Sequence, residues 1–343
     1  MGALDRTARH GVVAALLAAA ALNAPAGELP TAASATPNAA KAATVAPIEL
    51  AAGVYMVPGT GGEPDATNLG RVGNAGFIVG RSGVLAIDTG TSYLHGRALL
   101  DAIRTVTDKP VRMAIITHTR QEFLFGATAF REQGIPVAMH AAAADLMASR
   151  CDTCLKTLRT TLGDAAMRGT AMFTPDIRFS DPLRVDAAAL IGRSIQLLHF
   201  GHSSGPGDIA VFDVRSGTLF AGGLLDAQRI PDVFDSDLPR WREALRSLQA
   251  LPLDTIVPGH GPAGSKRVIT QVERYLDQLT ARARALLAAG APLSEVPDAS
   301  ALPDFASWDQ YDTVHRRNAA LIYLRYEREQ LLEQSTPVGV PRP

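Results

Sequence analysis

Cysteine is almost absent from this chain of 343 residues, with two in all, so no disulfide-dense scaffold can hold it together. At this length none is needed, because the core can be large. Charge of one sign is also missing: 33 Lys+Arg stand against 34 Asp+Glu, for a formal net charge of -1. Without a global basic field, nucleic acid and acidic membranes are not expected as partners. Aromatic residues are sparse at 6%, but the hydrophobic fraction of 47% excludes a disordered polyelectrolyte or a fibre. The apolar run near the N-terminus, Gly11 to Leu22, falls short of the roughly 20 residues that span a bilayer, so no stable membrane span is expected after processing.

That run has a different meaning. Arg6, Arg9 and His10 precede it, and Ala24-Pro25-Ala26 follows with the small-x-small pattern of a signal-peptidase site. Residues 1–26 read as an export signal, which makes the mature protein periplasmic or secreted. Ala33-Ser34-Ala35 is a second possible cut. Residues 27–47 are rich in Ala, Thr, Pro and Ser and nearly free of large apolar side chains, as in a tether that cannot offset its ordering entropy.

From Ile48 the periodicity alternates in the manner of an α/β chain. Short apolar runs at residues 53–57, 75–79 and 83–88 predict an opening antiparallel meander, and Tyr93 to Thr105 carries apolar residues at helical spacing. Further strands are expected at 111–117, 136–139, 194–199, 209–214, 218–221 and 255–257, with helices at 238–248 and 265–289. No internal repeat or linker divides the chain. One domain over 48–264, with C-terminal helices over 265–330 and a tail over 331–343, is the economical organisation.

Five loops that follow apolar strands carry groups able to do chemistry. They are Asp88-Thr-Gly90, Thr117-His-Thr-Arg-Gln-Glu-Phe123, Gly201-His-Ser-Ser-Gly205, Ala221-Gly-Gly-Leu-Leu-Asp226 and Pro258-Gly-His-Gly261. Their order and spacing resemble the metallo-β-lactamase fold superfamily. Within it the sequence is similar to the quinoprotein relay system zinc metallohydrolases, exported proteins associated with pyrroloquinoline-quinone (PQQ) dehydrogenases. Leu124-Phe-Gly-Ala-Thr-Ala-Phe130, Val257-Pro-Gly-His-Gly-Pro262, Arg274-Tyr-Leu, Trp308 and Arg317-Asn318 carry that second likeness. The resemblance spans Ile48 to about Arg328. It implies an α/β fold, a four-layer αβ/βα sandwich with a C-terminal helical extension, and a zinc pair held at one edge of two sheets.

The ligand set that the resemblance implies is incomplete. Where the family has His-x-His-x-Asp-His, this chain has His118-Thr-Arg120-Gln-Glu122-Phe123. Arg120 has no lone pair for a cation, and Phe123 has no donor atom. Glu122 keeps a carboxylate with one more methylene. His202 and His260 match later histidines, while the bridging aspartate falls on Gly223; Asp226, three residues on, is expected to point elsewhere. Two arrangements stay open. One is a single displaced zinc on some of His118, His202, His260 and Glu122, with Glu122 either ligating or acting as general base. In the other, Arg120 fills the lost metal's space, balanced by Glu122, and binds an anion or polarises a carbonyl without generating a nucleophilic hydroxide.

Asp88 reads as structural support for the first loop, and His95, His140, His199 and His315 as satisfied structural histidines. Cys151-Asp-Thr-Cys154 reads as a local disulfide in a helical lid, residues 140–169, over the cleft. Two functions follow: a hydrolase with a reduced metal site acting on an unknown small molecule, or a non-catalytic binding or accessory protein for a quinoprotein dehydrogenase.

Overall fold

The computed structural model describes residues 45–182 and 185–335; the expected export signal, most of the tether and the end of the tail lie outside the described residues. The meander expected from the glycine-bounded runs is present as β1 (Ile48–Ala51), β2 (Val54–Val57), β3 (Ala75–Val79) and β4 (Val84–Ile87), all antiparallel. Three parallel strands continue the sheet: β5 (Val111–Ile116), β6 (Val137–His140) and β7 (Ile177–Phe179). Chain order and spatial order coincide across all seven. A second sheet is ordered β11-β10-β9-β8, from β8 (Ile195–His199), β9 (Ile209–Asp213), β10 (Thr218–Asp226) and β11 (Thr255–His260).

Burial of the strands on both faces explains their nearly unbroken apolar runs. Between the sheets, Ile78, Leu85, Ile115, Val211 and Phe220 form one apolar layer. On the outer face of the first sheet, a second layer joins Phe77, Ala86 and Ile116 to α1 (Tyr93–Val106), α2 (Gln121–Leu124), α3 (Ala127–Glu132) and α4 (Ala141–Leu162). Beyond the second sheet, a third layer packs Leu219, Leu225 and Ile256 against α6 (Leu238–Ala250), α7 (Arg267–Ala288) and α9 (Arg316–Ser335). The short helices α5 (Ala187–Ile191) and α8 (Val296–Ala299) complete the set among the described residues. The result is the helix/sheet/sheet/helix sandwich that the loops implied. No described helix is long and apolar enough to cross a membrane.

Two departures from expectation matter for the site. Strand β10 continues past Ala221 to Asp226, through register shifts after Phe220 and Gly222. Gly222, at φ +52°, makes the irregular step without the strain that a Cβ would bring. The edge strands β1 and β7 were not foreseen, because four and three residues give too little periodicity to read.

At the end of the sandwich opposite the ligand loops, Arg193 ties the sheets together. Its Nε and Nη2 each donate to a different oxygen of Asp213 at 2.7 Å, and Nη1 donates to the carbonyls of Ala52 and Val79. Asp213 is fully buried and Arg193 nearly so. Removing one partner of such a pair strands a charge out of water. Asp213→Asn is therefore expected to lower the unfolding free energy in urea by about 3–5 kcal/mol; a change within the scatter of surface substitutions would show that the bolt is dispensable.

Candidate functional site

The five loops converge where the parallel strands end. Asp88 follows β4 and Thr117 follows β5; Asp88 accepts the Thr117 backbone N–H at 2.8 Å and the Thr117 hydroxyl. These bonds set the course of the loop that starts at His118. Burial pushes the Asp88 carboxyl up to about 7, with the Thr117 hydrogen bonds opposing it.

His118 is buried, and its Nδ1 accepts the backbone N–H of Gly223 at 3.1 Å. Nδ1 also stands 2.9 Å from the Thr117 hydroxyl, and Nε2 has no hydrogen-bond partner. Burial, then the nearby Arg120 charge, pulls its pKa down to about 3, so the ring is neutral at ordinary pH. Phe123 lies between two imidazoles, its ring centroid 4.3 Å from that of His118 and 5.3 Å from that of His260. Gly73 leaves room for it, since a Cβ there would stand 2.6 Å from the Phe123 ring.

Beyond Phe123 runs a buried chain of ions. His260 Nδ1 lies 2.7 Å from Asp226 Oδ1, and His260 Nε2 lies 3.1 Å from Glu122 Oε1. Asp226 and His260 are ladder partners on β10 and β11, which brings the first contact about. The expectation that Asp226 points elsewhere is corrected: the irregular step at Gly222 extends the strand and turns this carboxylate into the site. Burial opposes charge on all three groups, yet mutual attraction prevails. His260 is raised, first by the Asp226 charge; Asp226 is lowered, first by the His260 charge; Glu122 is lowered to about 2, first by its bond to His260.

Arg120 comes in from the cleft side. Its Nη2 donates to the Asp232 carbonyl at 3.2 Å, and Nη1 stands 4.0 Å from Asp226 Oδ2, an oxygen with no hydrogen-bond partner. Burial disfavours its charge, but Asp232, Asp226, Glu122 and Asp208 more than offset this and raise its pKa. The cleft, about 270 Å³, is lined on its polar side by His118, Arg120, Ser204 and Asp208 and on its apolar side by Leu146 and Phe234. Phe234 is half exposed at the rim. The other cleft-side cations are held in close pairs, Arg317 with Asp232 at 2.7 Å and Arg150 with Asp235 at 2.5 Å. Arg120 is the loosely held one.

Zinc needs imidazole lone pairs and carboxylate oxygens facing one point. Here His118 Nδ1 is engaged by the Gly223 N–H and the Thr117 hydroxyl, which leaves Nε2 as its single free nitrogen. His260 has both nitrogens against carboxylates. His202 is exposed, and its Nε2 meets the Asp235 carbonyl at the rim. Among the described residues no group of three or more His, Cys, Asp or Glu side chains could hold an ion. Of the residues singled out in the sequence, His118, Arg120, Glu122 and His260 are brought together; His202 is not. The donor set does not fit zinc in this arrangement.

Cys151 and Cys154 lie one turn apart on α4 as free thiols, Sγ to Sγ 3.3 Å, so the expected disulfide is replaced here by a sulfur–sulfur contact. A continuous helix sets their spacing, and no bond closes it. Helix α4 also places Leu146 on the cleft wall, in the segment expected to cover it. Asp232 and Asp208 were not foreseen as parts of the cleft. Asp208 is buried, accepts a hydrogen bond from Ser204, and is raised by burial.

Two stacked sheets with outer helices and loops gathered at one sheet edge define an αβ/βα hydrolase fold. A family model described as the metallo-beta-lactamase superfamily matches residues 69–260, and the chain belongs to that superfamily. A linear primary-alkylsulfatase from Pseudomonas sp. is 23% identical over 232 residues, covering 58% of this chain and 43% of that protein. The chain thus spans less than half the length of this curated relative. Among solved structures, a metallo-beta-lactamase from Pontibacter korlensis superposes with a TM-score of 0.55 at 22% identity, over 68% of this chain and 99% of that one. A double mutant of a sec-alkyl sulfatase gives a TM-score of 0.62 at 17% identity, over 82% of this chain and 50% of that one. At such identities the structural matches establish a shared fold.

The ion chain carries a signed pH dependence. Glu122 is held near 2 against an ordinary 4.5, so its stabilisation is complete above 4.5 and lost as pH falls toward 2. Glu122→Gln is expected to be less stable than the native chain at pH 7 and to lose less stability between pH 5 and pH 3, measured by urea denaturation. Equal losses in the two proteins would show that the carboxylate is not engaged as described.

Proposed function

We propose that this chain is an exported, zinc-independent member of the superfamily that binds a small amphiphilic anion, and that it serves as a binding or accessory protein in a quinoprotein dehydrogenase system. The observation that carries the first part is the state of His260. Both of its nitrogens are taken by carboxylates, while Arg120, with only loose partners of its own, lines the cleft. The system-level assignment rests on the motifs around Leu124–Phe130, Val257–Pro262 and Arg317-Asn318, and export rests on residues 1–26.

In this reading, Arg120 donates charge-assisted hydrogen bonds to a sulfate, carboxylate or polarised carbonyl oxygen. The neutral His118 imidazole adds a polar group on the same wall. Asp226 and Glu122, bridged by protonated His260, hold a compensating field behind Arg120 and keep it charged. Leu146 and Phe234 face the apolar body of the ligand. The alkylsulfatase relatives support an organic sulfate as the ligand type. A guanidinium can stabilise developing negative charge, but it does not turn water into hydroxide near neutral pH as zinc does, so hydrolysis through this site is slow or absent.

Two measurements test the proposal. The chain purified without chelators is expected to contain far less than one zinc per molecule; near-stoichiometric zinc that is lost on His260→Ala would overturn it in favour of a single-ion hydrolase. Hexyl sulfate should bind by calorimetry, and Arg120→Gln should weaken it by about 10- to 100-fold, the worth of one hydrogen bond to a charged group. An unchanged affinity would remove Arg120 from the role.

A further inference from the structure

A second cleft lies at the opposite pole, around the Arg193 bolt. It is a groove of about 450 Å³ between the two sheets, bounded by the β1–β2 turn (Ala52, Gly53), the β3–β4 turn (Gly80, Arg81), Lys109 ahead of β5, the segment ahead of β8 (Gly192 to Ser194) and Arg215 in the β9–β10 turn. Four of its side chains are cationic and none is acidic. In a chain with a net charge of -1, that is a local concentration of one sign.

The four cations are not equivalent. Arg193 is consumed by Asp213 and by the carbonyls of Ala52 and Val79, and it forms the floor. Lys109 Nζ donates to the Gly80 carbonyl at 2.7 Å, and Arg81 Nε donates to the Gly192 carbonyl at 3.2 Å. Both side chains are thereby anchored by neutral acceptors, which fix their positions and leave their charges uncompensated. Arg215 is exposed, with no ion pair among the described residues. The neighbouring acids are turned to other tasks: Glu49 accepts from the Gly53 N–H and the Tyr55 hydroxyl, and Asp213 holds Arg193 and Ser216. Asp108, beside Lys109 in the chain, does not line the groove.

The floor is also shaped to stay open. Gly53, at φ +77°, would place a Cβ 2.7 Å from Arg193 Nη1, and a Cβ on Gly80 would strike the Ile191 carbonyl at 2.0 Å. Glycine at both positions lets the β1–β2 turn close against Arg193 and the β3–β4 turn against Ile191, while the cations stand around the rim. Oriented cations with no counter-charge, over a floor already neutralised, suit a compact group carrying two or more negative charges. The geometry points to a phosphate-binding site at this pole, formed by Arg81, Lys109 and Arg215 and independent of the cleft at Arg120.

The phosphate could belong to a free small molecule or to a lipid headgroup, and the two sources are separable. Inorganic pyrophosphate, titrated into the purified chain by calorimetry, probes the first; co-sedimentation with phosphatidylglycerol vesicles, against phosphatidylcholine vesicles, probes the second. Binding in either arm should weaken as salt is raised. Measured in an Arg120→Gln background, which removes the other anion cleft, it should fall about tenfold or more when the Arg81→Ala, Lys109→Ala, Arg215→Ala triple variant is introduced. Because the three side chains stand on the rim, the triple variant should keep the native melting temperature, which confirms that any loss is local. Pyrophosphate binding assigns a soluble ligand, and vesicle binding alone assigns a headgroup. Absence of both, or binding that survives in the triple variant, overturns the site.

Discussion

The chemistry of this molecule depends on one buried contact, a histidine held between two carboxylates. Asp226 and His260 come from adjacent strands of the second sheet, and Glu122 comes from α2, which follows β5 of the first, so the imidazole joins the two halves of the sandwich at their functional edge. Each member would be costly to bury alone. The three remain charged because the imidazolium lowers the cost for both carboxylates, and they for it, with Arg120 adding to the attraction. The same contact removes His260 from the pool of available ligands, gives Arg120 a field to sit in, and holds the imidazole edge to face with Phe123.

The two ends of the sandwich handle arginine in opposite ways. At one end Arg193 is saturated by a bidentate carboxylate and two carbonyls, and it acts as a fastener between sheets. At the other end Arg120 has a single carbonyl at hydrogen-bond distance and a carboxylate at 4.0 Å, which leaves donors for something else. Burial alone does not separate these roles. The number and closeness of partners does.

Much of the fold could be read from the chain. Glycine-bounded apolar runs located the meander, and the strand-loop-histidine order located the edge where function gathers. Arg120, Phe123 and Gly223 carry no side chain able to ligate a cation, and among the described residues no group of three or more His, Cys, Asp or Glu gathers around them to hold an ion. What could not be read were consequences of geometry. Asp226 looked misplaced because strand length was judged from the run before Gly222; the bulge that carries the strand onward has no signature beyond a pair of glycines, which also fits a loop. An aspartate ending a nine-residue buried strand, opposite a Pro-Gly-His turn, is the signal that could have found it. His202 matched by position, but its direction depends on the Asp235 carbonyl, which no spacing rule encodes.

Gly223 makes the present state hard to leave. A Cβ at that position would stand 2.6 Å from His118 Cδ2 and 3.1 Å from Nε2, while the Gly223 N–H donates to Nδ1 of the same ring. Any side chain introduced there must first displace the imidazole it would have to cooperate with. The position therefore couples strand to ring: the residue that supplies the N–H must also be one without a side chain, and a substitution at 223 is felt first at the cleft wall that His118 forms.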